Sequence, residues 1–407
     1  MDLRARLTAV ALARPAVLLI TGPGATRERL AVEAELGRRR WPRATGPATA
    51  DLVVFAGAPL PVHGDDWAER VWRGVPDPKA RVTVTDAGET ARALDHGHGT
   101  LLTRAMRPAG RHEAAAGPDR GHPGSPGHGG EDHDGHGAGE HGGPGRHGGH
   151  GRHPAVVAGL PLAERADDRD GLRLDRLRLP LGPALPDWPA GLVLRLELQG
   201  DVVRHAEAEA IPAPPAARPA FWDEPWLRAL AGEPVTVGEA ARRRCAAHLD
   251  SLGRFLGVAG WSAAATRARQ ARDRTLGGAR GDELLPLVRP LVRRLRRSRT
   301  LRRLTVGVGE LSGDGGPAGR DAHSRLIGRL DGIERALSGI DGRAPLAVHP
   351  PAGSRGSADT GTPAALATLS ALLTGAEFAC ARLIVASLDP DLDGPAPRYA
   401  PGGRAHG

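Results

Sequence analysis

The sequence is poor in cysteine and in aromatic side chains. Its 407 residues include two cysteines, Cys245 and Cys380, and aromatic residues make up 3% of the chain. Two thiols cannot build a disulfide framework, and they cannot supply four thiolates to an iron–sulfur cluster or a structural zinc ion. We therefore expect no iron–sulfur cluster, and cores built mainly from Leu, Val and Ala.

Lysine is almost absent, because Lys79 is the only one and arginine supplies nearly all of the positive charge behind the net charge of +8. The arginines are spread over most of the chain, so net charge alone does not indicate nucleic-acid binding. The densest run, 289–303, holds eight arginines with Leu and Val at helical spacing. It predicts an amphipathic helix with a basic outer face, which either faces solvent or docks on an acidic partner or membrane surface. Nucleic acid is not expected as a partner, since no stacking aromatics accompany the run.

Long apolar runs are also missing. A membrane-spanning helix needs about 20 mostly apolar residues, and the apolar run near the N-terminus is interrupted by Arg14 and Pro15. No convincing cleavage site follows this run. The sequence therefore predicts a cytoplasmic protein, with peripheral attachment at the inner face of the cell membrane as the alternative and membrane contact only through partners.

One long segment contains nothing that can form a core. Residues 111–153 include 15 Gly and 9 His, and no Leu, Ile, Val, Met or aromatic residue. Such a segment cannot bury enough apolar surface to offset the entropy of ordering, which predicts a disordered linker. It separates an N-terminal unit, residues 1–110, from a C-terminal unit, residues 154–395, and a disordered tail is expected at 396–407.

The linker is also the one candidate metal site. Neutral imidazole is a good ligand for nickel, copper and zinc, and a glycine-rich backbone lets several rings converge. Because the segment is not preorganised, we expect loose binding of several ions rather than one defined site; the alternative is a simple spacer. The candidate ligands are His122, His128, His133, His136, His141, His147, His150 and His153.

The N-terminal unit alternates between strand and helix patterns. Short apolar runs at 16–20, 51–57 and 80–84 are typical of strands buried on both faces. Helical patterns follow the first strand and surround 67–72, so the sequence predicts an α/β domain with a small parallel sheet. The glycine-rich turn at 22–27 stands where a phosphate loop would lie, but it lacks the Lys-Ser/Thr ending and is interpreted as an ordinary turn.

The C-terminal unit begins with strands and continues with helices, which predicts an α+β domain. Alternating residues at 171–179 and a hairpin turning at Gln199-Gly200 indicate an antiparallel sheet. Helices are predicted from the cap at Thr236, after Trp261, and over 282–299. Two closing strands are predicted at the end of this unit: 304–308 and 381–388.

Three segments of the C-terminal unit, 182–203, 302–309 and 383–390, together resemble the quinone-site subunit of respiratory NADH–quinone oxidoreductase (complex I) and the related large subunits of nickel–iron hydrogenases. Residues 182–203, beginning Gly-Pro-Ala-Leu-Pro, are similar to the family's opening Gly-Pro-Gln-His-Pro hairpin. Residues 302–309 resemble its Arg-x-x-Gly-Val-Gly segment, and 383–390 resemble its closing Gly-Ser-Leu-Asp segment. Their order along the chain also matches, and the stretch 248–252 fits between them.

The N-terminal unit resembles the small subunit that carries the terminal iron–sulfur cluster in that family. Residues 50–57 and Trp72 are similar to its second strand and the region after it. The stretch 75–82 resembles the Pro-x-Pro approach to its third strand. The two resemblances imply that two subunits of an oxidoreductase complex are fused in one chain.

The positions that carry redox chemistry in this family are changed here. Residues 1–110 contain no cysteine, and 84–88 stand where the family has a Gly-Ser-Cys turn. The quinone-binding histidine corresponds to Leu185, and the only tyrosine is Tyr399. The two Cys-x-x-Cys pairs that hold the hydrogenase metal are absent. We therefore expect no catalytic and no cofactor-binding residues in this chain.

These observations favour a degenerate, non-catalytic fused subunit that serves assembly or structure in a membrane-associated NADH–quinone oxidoreductase or hydrogenase-like complex. Its partners would be the other subunits of that complex, with divalent metal ions as further ligands of the linker. One alternative is a protein that handles nickel, zinc or copper, in which the folded units present the histidines. Another is an active oxidoreductase subunit that uses the redox groups of its partners.

Overall fold

The structure is a computed structural model, and it describes residues 10–57, 67–106, 156–157, 160–167, 173–211, 220–311, 321–347 and 363–393. The predicted linker with its eight candidate histidines lies outside these residues, as does the predicted tail. The names N-terminal unit and C-terminal unit are kept for the described parts of 1–110 and 154–395.

The N-terminal unit contains the small parallel sheet that the sequence predicts, and its three strands lie side by side in chain order. In the central strand, Leu52 lies opposite Val17 on one side and Ala80 on the other. Both flanking strands are connected through helices, because parallel neighbours need crossover connections. The elements are β1 (Val17–Thr21), α1 (Thr26–Arg39), β2 (Leu52–Ala56), α2 (Trp67–Arg73), β3 (Ala80–Val84) and α3 (Thr90–Met106).

The C-terminal unit opens with a five-stranded antiparallel sheet whose strands lie in chain order. Its fourth strand alternates, with four leucines from Leu192 to Leu198 buried in the core. The predicted hairpin is confirmed: Gly200 adopts the left-handed conformation (φ 62°) that the tight turn requires. The strands are β4 (Val156–Val157), β5 (Leu160–Asp167), β6 (Arg173–Leu181), β7 (Leu192–Gln199) and β8 (Val202–Ala210).

Eight helices follow the sheet in the described part of the C-terminal unit. The longest, α5, begins with a capping box in which Thr236 and Glu239 satisfy each other's backbone N–H groups. No described helix combines the length and the apolar character that crossing a membrane requires. The helices are α4 (Glu224–Leu230), α5 (Val237–Val258), α6 (Ser262–Leu276), α7 (Gly281–Arg296), α8 (Arg299–Thr305), α9 (Ala322–Ser338), α10 (Pro363–Leu373) and α11 (Phe378–Leu388).

The prediction of a closing strand at 304–308 is wrong. The residues before it form α8, whose first turn is capped by the Ser298 side chain. The Gly-x-Gly that follows is a turn, since Gly307 (φ 75°) and Gly309 (φ 62°) both lie in the left-handed region that strands exclude. The apolar residues at 304–308 therefore straddle a helix end and a turn.

The prediction of a closing strand at 381–388 is also wrong, because these residues belong to α11. This helix lies between two hydrophobic clusters: Ala386 packs in one with α5–α9, whereas Ile384 and Val385 pack in the other with the antiparallel sheet. A helix buried on two sides has a continuous apolar sequence, which resembles that of a buried strand. Strand-like pairing occurs where the helix begins: Glu377 forms a β-bridge with Val202, and the Phe378 N–H donates to the Asp201 carbonyl.

Candidate functional site

The redox positions implied by the family resemblance carry structural side chains here. Leu185 lies in the β6–β7 connection and packs, half-buried, against the core of the antiparallel sheet. Its side chain offers no proton donor or acceptor to a ligand. Asp86, within the turn at 84–88, accepts a hydrogen bond from the Gly88 backbone N–H at 2.7 Å and begins a short 3₁₀ helix. Neither position presents a redox ligand.

The two cysteines are held away from thiolate chemistry. Cys245 is buried on α5, and burial raises the pKa of its thiol to about 12. Cys380 lies on α11, not beside a strand as the sequence indicated, and burial together with Glu377 raises the pKa of its thiol. Since the thiolate is the nucleophile and the metal ligand, these environments disfavour both roles near neutral pH.

The predicted metal ligands cannot be placed, because all eight histidines lie outside the described residues. Within the part of the chain that is described, no three His, Cys, Asp or Glu side chains are grouped so as to hold a metal ion. The loose metal site in the linker stays a prediction.

The most concentrated arrangement of charge lies between the two units, where α1 faces α5 and α6. Arg29 on α1 donates two hydrogen bonds to the carboxylate of Asp250 on α5, at 3.0 and 2.8 Å. The two side chains are 6% and 1% exposed, so the bidentate pair is enclosed by protein. Bidentate guanidinium–carboxylate pairs fix orientation as well as distance. This pair sets the position of α1 on the C-terminal unit.

A second pair of charges crosses the same interface. Arg272 on α6 donates to Glu33 on α1 at 2.6 Å and to Asp250 at 2.7 Å. Arg29 also contacts Glu33, one helical turn along α1, at 3.3 Å. Arg29, Glu33, Asp250 and Arg272 thus form a closed ring of two guanidiniums and two carboxylates, contributed equally by the two units.

The ring extends toward the loop that carries Leu185. Asp187 in this loop accepts hydrogen bonds from Arg43 of the N-terminal unit at 3.0 Å and from Arg269 of α6 at 2.5 Å. Arg43 also approaches Glu33 to 3.9 Å, which links this branch to the ring. Ion pairs therefore connect the segment that resembles the quinone-site hairpin both to the N-terminal unit and to α6 of its own unit.

The ring extends on its other side toward the end of α11. Arg254 approaches Asp250 to 3.5 Å and Asp389, which follows α11, to 2.8 Å. Ser251 also donates a hydrogen bond to Asp389. The segments 248–252 and 383–390, identified in the sequence by resemblance, meet at this point.

We call this set the junction network: five guanidiniums and five carboxylates. Salt bridges connect all ten side chains, and the formal charges cancel. Its members are Arg29, Glu33, Arg43, Asp187, Asp250, Arg254, Arg269, Arg272, Asp273 and Asp389.

The central groups of the junction network stay ionised at neutral pH. Burial alone would raise the pKa of Glu33, but the neighbouring guanidiniums, chiefly Arg272 and Arg29, lower it well below its ordinary value. Burial would lower the pKa of Arg29 and Arg272, but Asp250 and Glu33 outweigh it and raise both. Groups whose pKa values lie so far from neutrality do not exchange protons at pH 7. The ring is suited to holding surfaces together rather than to acid–base chemistry.

Other contacts surround the junction network. Leu30 on α1 packs in a buried cluster with Trp222, Ala246 and Ala247 of the C-terminal unit. At the end of the chain that is described, Asp393 accepts a hydrogen bond from the Gly24 backbone N–H at 3.1 Å. The turn before α1, where a phosphate loop would lie, thus contacts a carboxylate of this chain.

Gly24 is where that turn reverses, and its conformation is left-handed (φ 76°). A helix N-terminus favours negative charge, and here Asp393 supplies it. The finding agrees with the interpretation of 22–27 as an ordinary turn.

A separate cleft lies entirely within the C-terminal unit. It has a volume of about 460 Å³ and lies between the turn at 307–310 and the residues of α10 and α11. Arg325 donates a hydrogen bond to the carbonyl of Gly309, which lines this cleft, and another to the Ser387 hydroxyl, each at 3.0 Å. Leu185 does not line this cleft, so the position that resembles a quinone ligand lies elsewhere.

None of the ten junction residues was identified as a candidate site residue from sequence. Two signals were available: Arg29 and Glu33, like Asp250 and Arg254, are opposite charges spaced i, i+4. On exposed helices such pairs are common and contribute little. What distinguishes these two pairs is that all four side chains are buried, and this depends on how the helices pack.

No protein-family model and no curated protein sequence matches the chain. Among solved structures, the chain is similar to one chain of the membrane-bound sulfane sulfur reductase, an archaeal respiratory membrane complex, with 16% identity and a TM-score of 0.32. The similarity covers 53% of this chain and 98% of the other. A similarity of this size assigns neither a family nor an activity to this chain.

Proposed function

We propose that this chain is a non-catalytic, fused subunit of a membrane-associated oxidoreductase complex related to NADH–quinone oxidoreductase or membrane-bound hydrogenase, and that it serves assembly or structure. The proposal rests on the sequence resemblance of the N-terminal unit to the small, cluster-carrying subunit and of the C-terminal unit to the quinone-site subunit. It rests also on the residues that occupy the family's redox positions, Leu185 and 84–88. Among the structural observations, the junction network is the one that carries the structural role.

The junction network supports a structural role because it joins two of the segments through which the chain resembles the family, 182–203 and 383–390, to the N-terminal unit. Asp187, Asp250 and Asp389 come from three separate segments of the C-terminal unit. Arg43 pairs Asp187 with the N-terminal unit, Arg29 pairs Asp250 with it, and Arg254 connects Asp389 to Asp250. Burying this many charges is costly unless every one is paired. An arrangement that keeps them paired supports a role in which the two units act as one binding body.

The side chains at the redox positions support a non-catalytic role. Quinone reduction needs an electron carrier nearby and polar groups that deliver protons to the ring oxygens. Leu185 offers no proton, and residues 1–110 contain no thiol. The chain on its own thus lacks both the electron carrier and the proton donor that the reaction uses.

The proposal is tested by assaying the purified full-length chain, without partners, for NADH–quinone turnover. We expect none, and we expect none after Leu185→His either, because the electron source is still missing. Leu185→Met is the matched control, since it keeps an apolar side chain of similar volume. Turnover by the isolated wild-type chain would contradict the proposal.

The partners are tested by recovering the full-length chain from solubilised membranes and identifying the proteins that accompany it by mass spectrometry. The proposal expects subunits of one membrane oxidoreductase complex in fixed ratio to the chain. Recovery with metal importers or metal-centre maturation proteins instead would favour the alternative, a protein that handles metal ions. That alternative is favoured by one observation, the nine histidines in 43 residues of the linker.

A further inference from the structure

The arginine-rich run 289–303 folds into two successive short helices that turn their arginines outward. On α7, Leu284, Val288, Leu291 and Leu295 are buried. On α8, Leu301 and Thr305 are buried. The arginines occupy the remaining positions, so the predicted basic outer face is present, although it is divided between two helices at 297–298.

Six of these arginines are exposed and form no ion pair with any residue that the structure describes. Two others are engaged: Arg296 pairs with Asp331 and Glu334, and Arg294 lies 5.9 Å from the Trp261 ring. We call the six the basic face: Arg289, Arg293, Arg297, Arg299, Arg302 and Arg303.

The basic face has no acidic residue within its own segment. No Asp or Glu occurs between Glu283 and Glu310, a stretch that holds eight arginines. Elsewhere in the described residues, arginines on helices commonly face carboxylates, as Arg39 does with Glu35 and Asp95. The basic face therefore carries an uncompensated positive charge, and an anionic surface is complementary to it.

Two apolar side chains border the basic face and are exposed to solvent. Leu304 is 45% exposed and Val306 is 50% exposed, in a chain where few large apolar side chains in the described residues are exposed at all. A lipid surface suits this combination, because guanidiniums bind phosphates bidentately while adjacent apolar side chains enter the acyl boundary. Nucleic acid suits it less, because the run 289–303 contains no aromatic residue on which a base could stack.

We propose that the basic face binds directly to the headgroups of anionic phospholipids at a membrane surface. This goes beyond the proposed function, and beyond the expectation that the chain meets a membrane only through partners. The attraction is electrostatic and falls off within a Debye length, so high salt weakens it. Leu304 and Val306 add a smaller contribution that salt does not screen.

The test is co-sedimentation of the full-length chain with vesicles of phosphatidylcholine alone and of phosphatidylcholine mixed with phosphatidylglycerol. At about pH 8 the histidines are mostly neutral, so the linker adds little positive charge. We expect binding only to the mixed vesicles, and we expect high salt to release the chain.

The triple variant R299Q/R302Q/R303Q should weaken binding to the mixed vesicles at least tenfold, and on the order of 100-fold if each arginine contributes fully. The matched control is R14Q/R204Q/R343Q, which removes the same charge from exposed arginines outside the basic face. This control should lower the affinity for the mixed vesicles by a factor several-fold smaller than R299Q/R302Q/R303Q does.

Three results would overturn the proposal. Equal loss in the two triple variants would show that net charge, not the basic face, drives binding. Equal binding to phosphatidylcholine alone would show that headgroup charge is not recognised. Failure to bind the mixed vesicles at low salt would show that the basic face does not bind lipid, and an acidic protein would then be the favoured partner.

Circular dichroism of both variants shows whether they are folded. Because the vesicles hold no partner subunits, the outcome is independent of the proposed role in a complex.

Discussion

Arginine occurs in two opposite settings in this molecule, the junction network and the basic face. In the junction network, Arg29 and Arg272 are 6% and 1% exposed and each contacts at least two carboxylates. On the basic face, Arg299, Arg302 and Arg303 are exposed and pair with no described residue. Arginine is therefore paired within the chain in the junction network and left available to a binding partner on the basic face.

This contrast bears on how to interpret a basic chain in which nearly every positive charge is an arginine. Net charge does not distinguish the two settings. Local composition distinguishes them only in part: the basic face has no acidic residue in its own segment, whereas Arg29 and Arg254 each have a carboxylate one helical turn away. What distinguishes them is the number of carboxylates within reach, which depends on the fold. A buried guanidinium requires such partners because desolvation is costly, whereas an exposed one does not.

The largest expected effect comes from removing the carboxylate at the centre of the junction network. Asp250→Ala leaves Arg29, Arg254 and Arg272 buried without their common partner. Breaking a buried ion pair from one side typically costs about 3–5 kcal/mol. We expect a loss of this size in the free energy of unfolding, measured by denaturant titration of the full-length chain.

The matched control for that variant is Glu207→Ala, which removes an exposed carboxylate from β8. Exposed substitutions of this kind usually change stability by less than about 0.5 kcal/mol. If Asp250→Ala and Glu207→Ala cost the same, the junction network does not hold the two units together.

A smaller effect, with a defined pH dependence, is expected for Glu33→Gln. At pH 7 the loss of the charged hydrogen bonds should cost about 1.5–3 kcal/mol. The pKa of Glu33 is lowered by folding, so its contribution is fully present above its ordinary pKa of 4.5 and is lost as pH falls toward the folded value. The stability difference between wild type and Glu33→Gln should therefore shrink below pH 4.5.

The measurement is thermal unfolding of both proteins over a pH series in one buffer system. If the stability difference between wild type and Glu33→Gln stays constant from neutral to strongly acidic pH, the arginine neighbours do not lower the pKa of Glu33.

Substitutions on the basic face should barely change stability. R299Q/R302Q/R303Q removes three exposed guanidiniums that pair with no described residue, so the free energy of unfolding should change by less than about 0.5 kcal/mol. Denaturant titration beside Asp250→Ala makes the contrast direct. A loss as large as that of Asp250→Ala would mean that the basic face is part of the fold rather than an open surface.

The smallest effect on stability is expected from deleting residues 111–153. The linker contains no large apolar side chain, so its removal should leave thermal unfolding nearly unchanged. Calorimetric titration should show that the deletion abolishes weak binding of nickel, copper or zinc, and in the intact chain this binding should fall as pH drops below the imidazole pKa of about 6.5. Unfolding of either unit on deletion would contradict the prediction of a linker.

Much of the fold was predictable from local patterns. The strands at 16–20, 51–57 and 80–84, the hairpin at Gln199-Gly200 and the cap at Thr236 were all identified, because each depends on neighbours in sequence. The two closing strands were not, since α11 is buried on two sides and a short apolar run fits either a helix or a strand. The turn at 307–309 depends on positive φ values that the Gly-Val-Gly pattern permits without requiring.

The junction network was not predictable in the same way. Asp250 and Arg29 are 221 residues apart, and their pairing depends on how α1 lies on α5. Each residue alone has the pattern of a solvated charge on an amphipathic helix. The resemblance identified the segments around Asp250 and Asp389 but did not identify their partners, because those partners come from both units.

The most direct test of the account is the abundance of the membrane partner subunits in a strain that lacks this chain, measured by quantitative mass spectrometry. A protein that binds folded partners stabilises them, so their abundance should fall on deletion. Wild type and Glu207→Ala should restore it, whereas Asp250→Ala should not, because the two units are no longer held as one body. Undiminished partner subunits in the deletion strain, or full restoration by Asp250→Ala, would contradict the account.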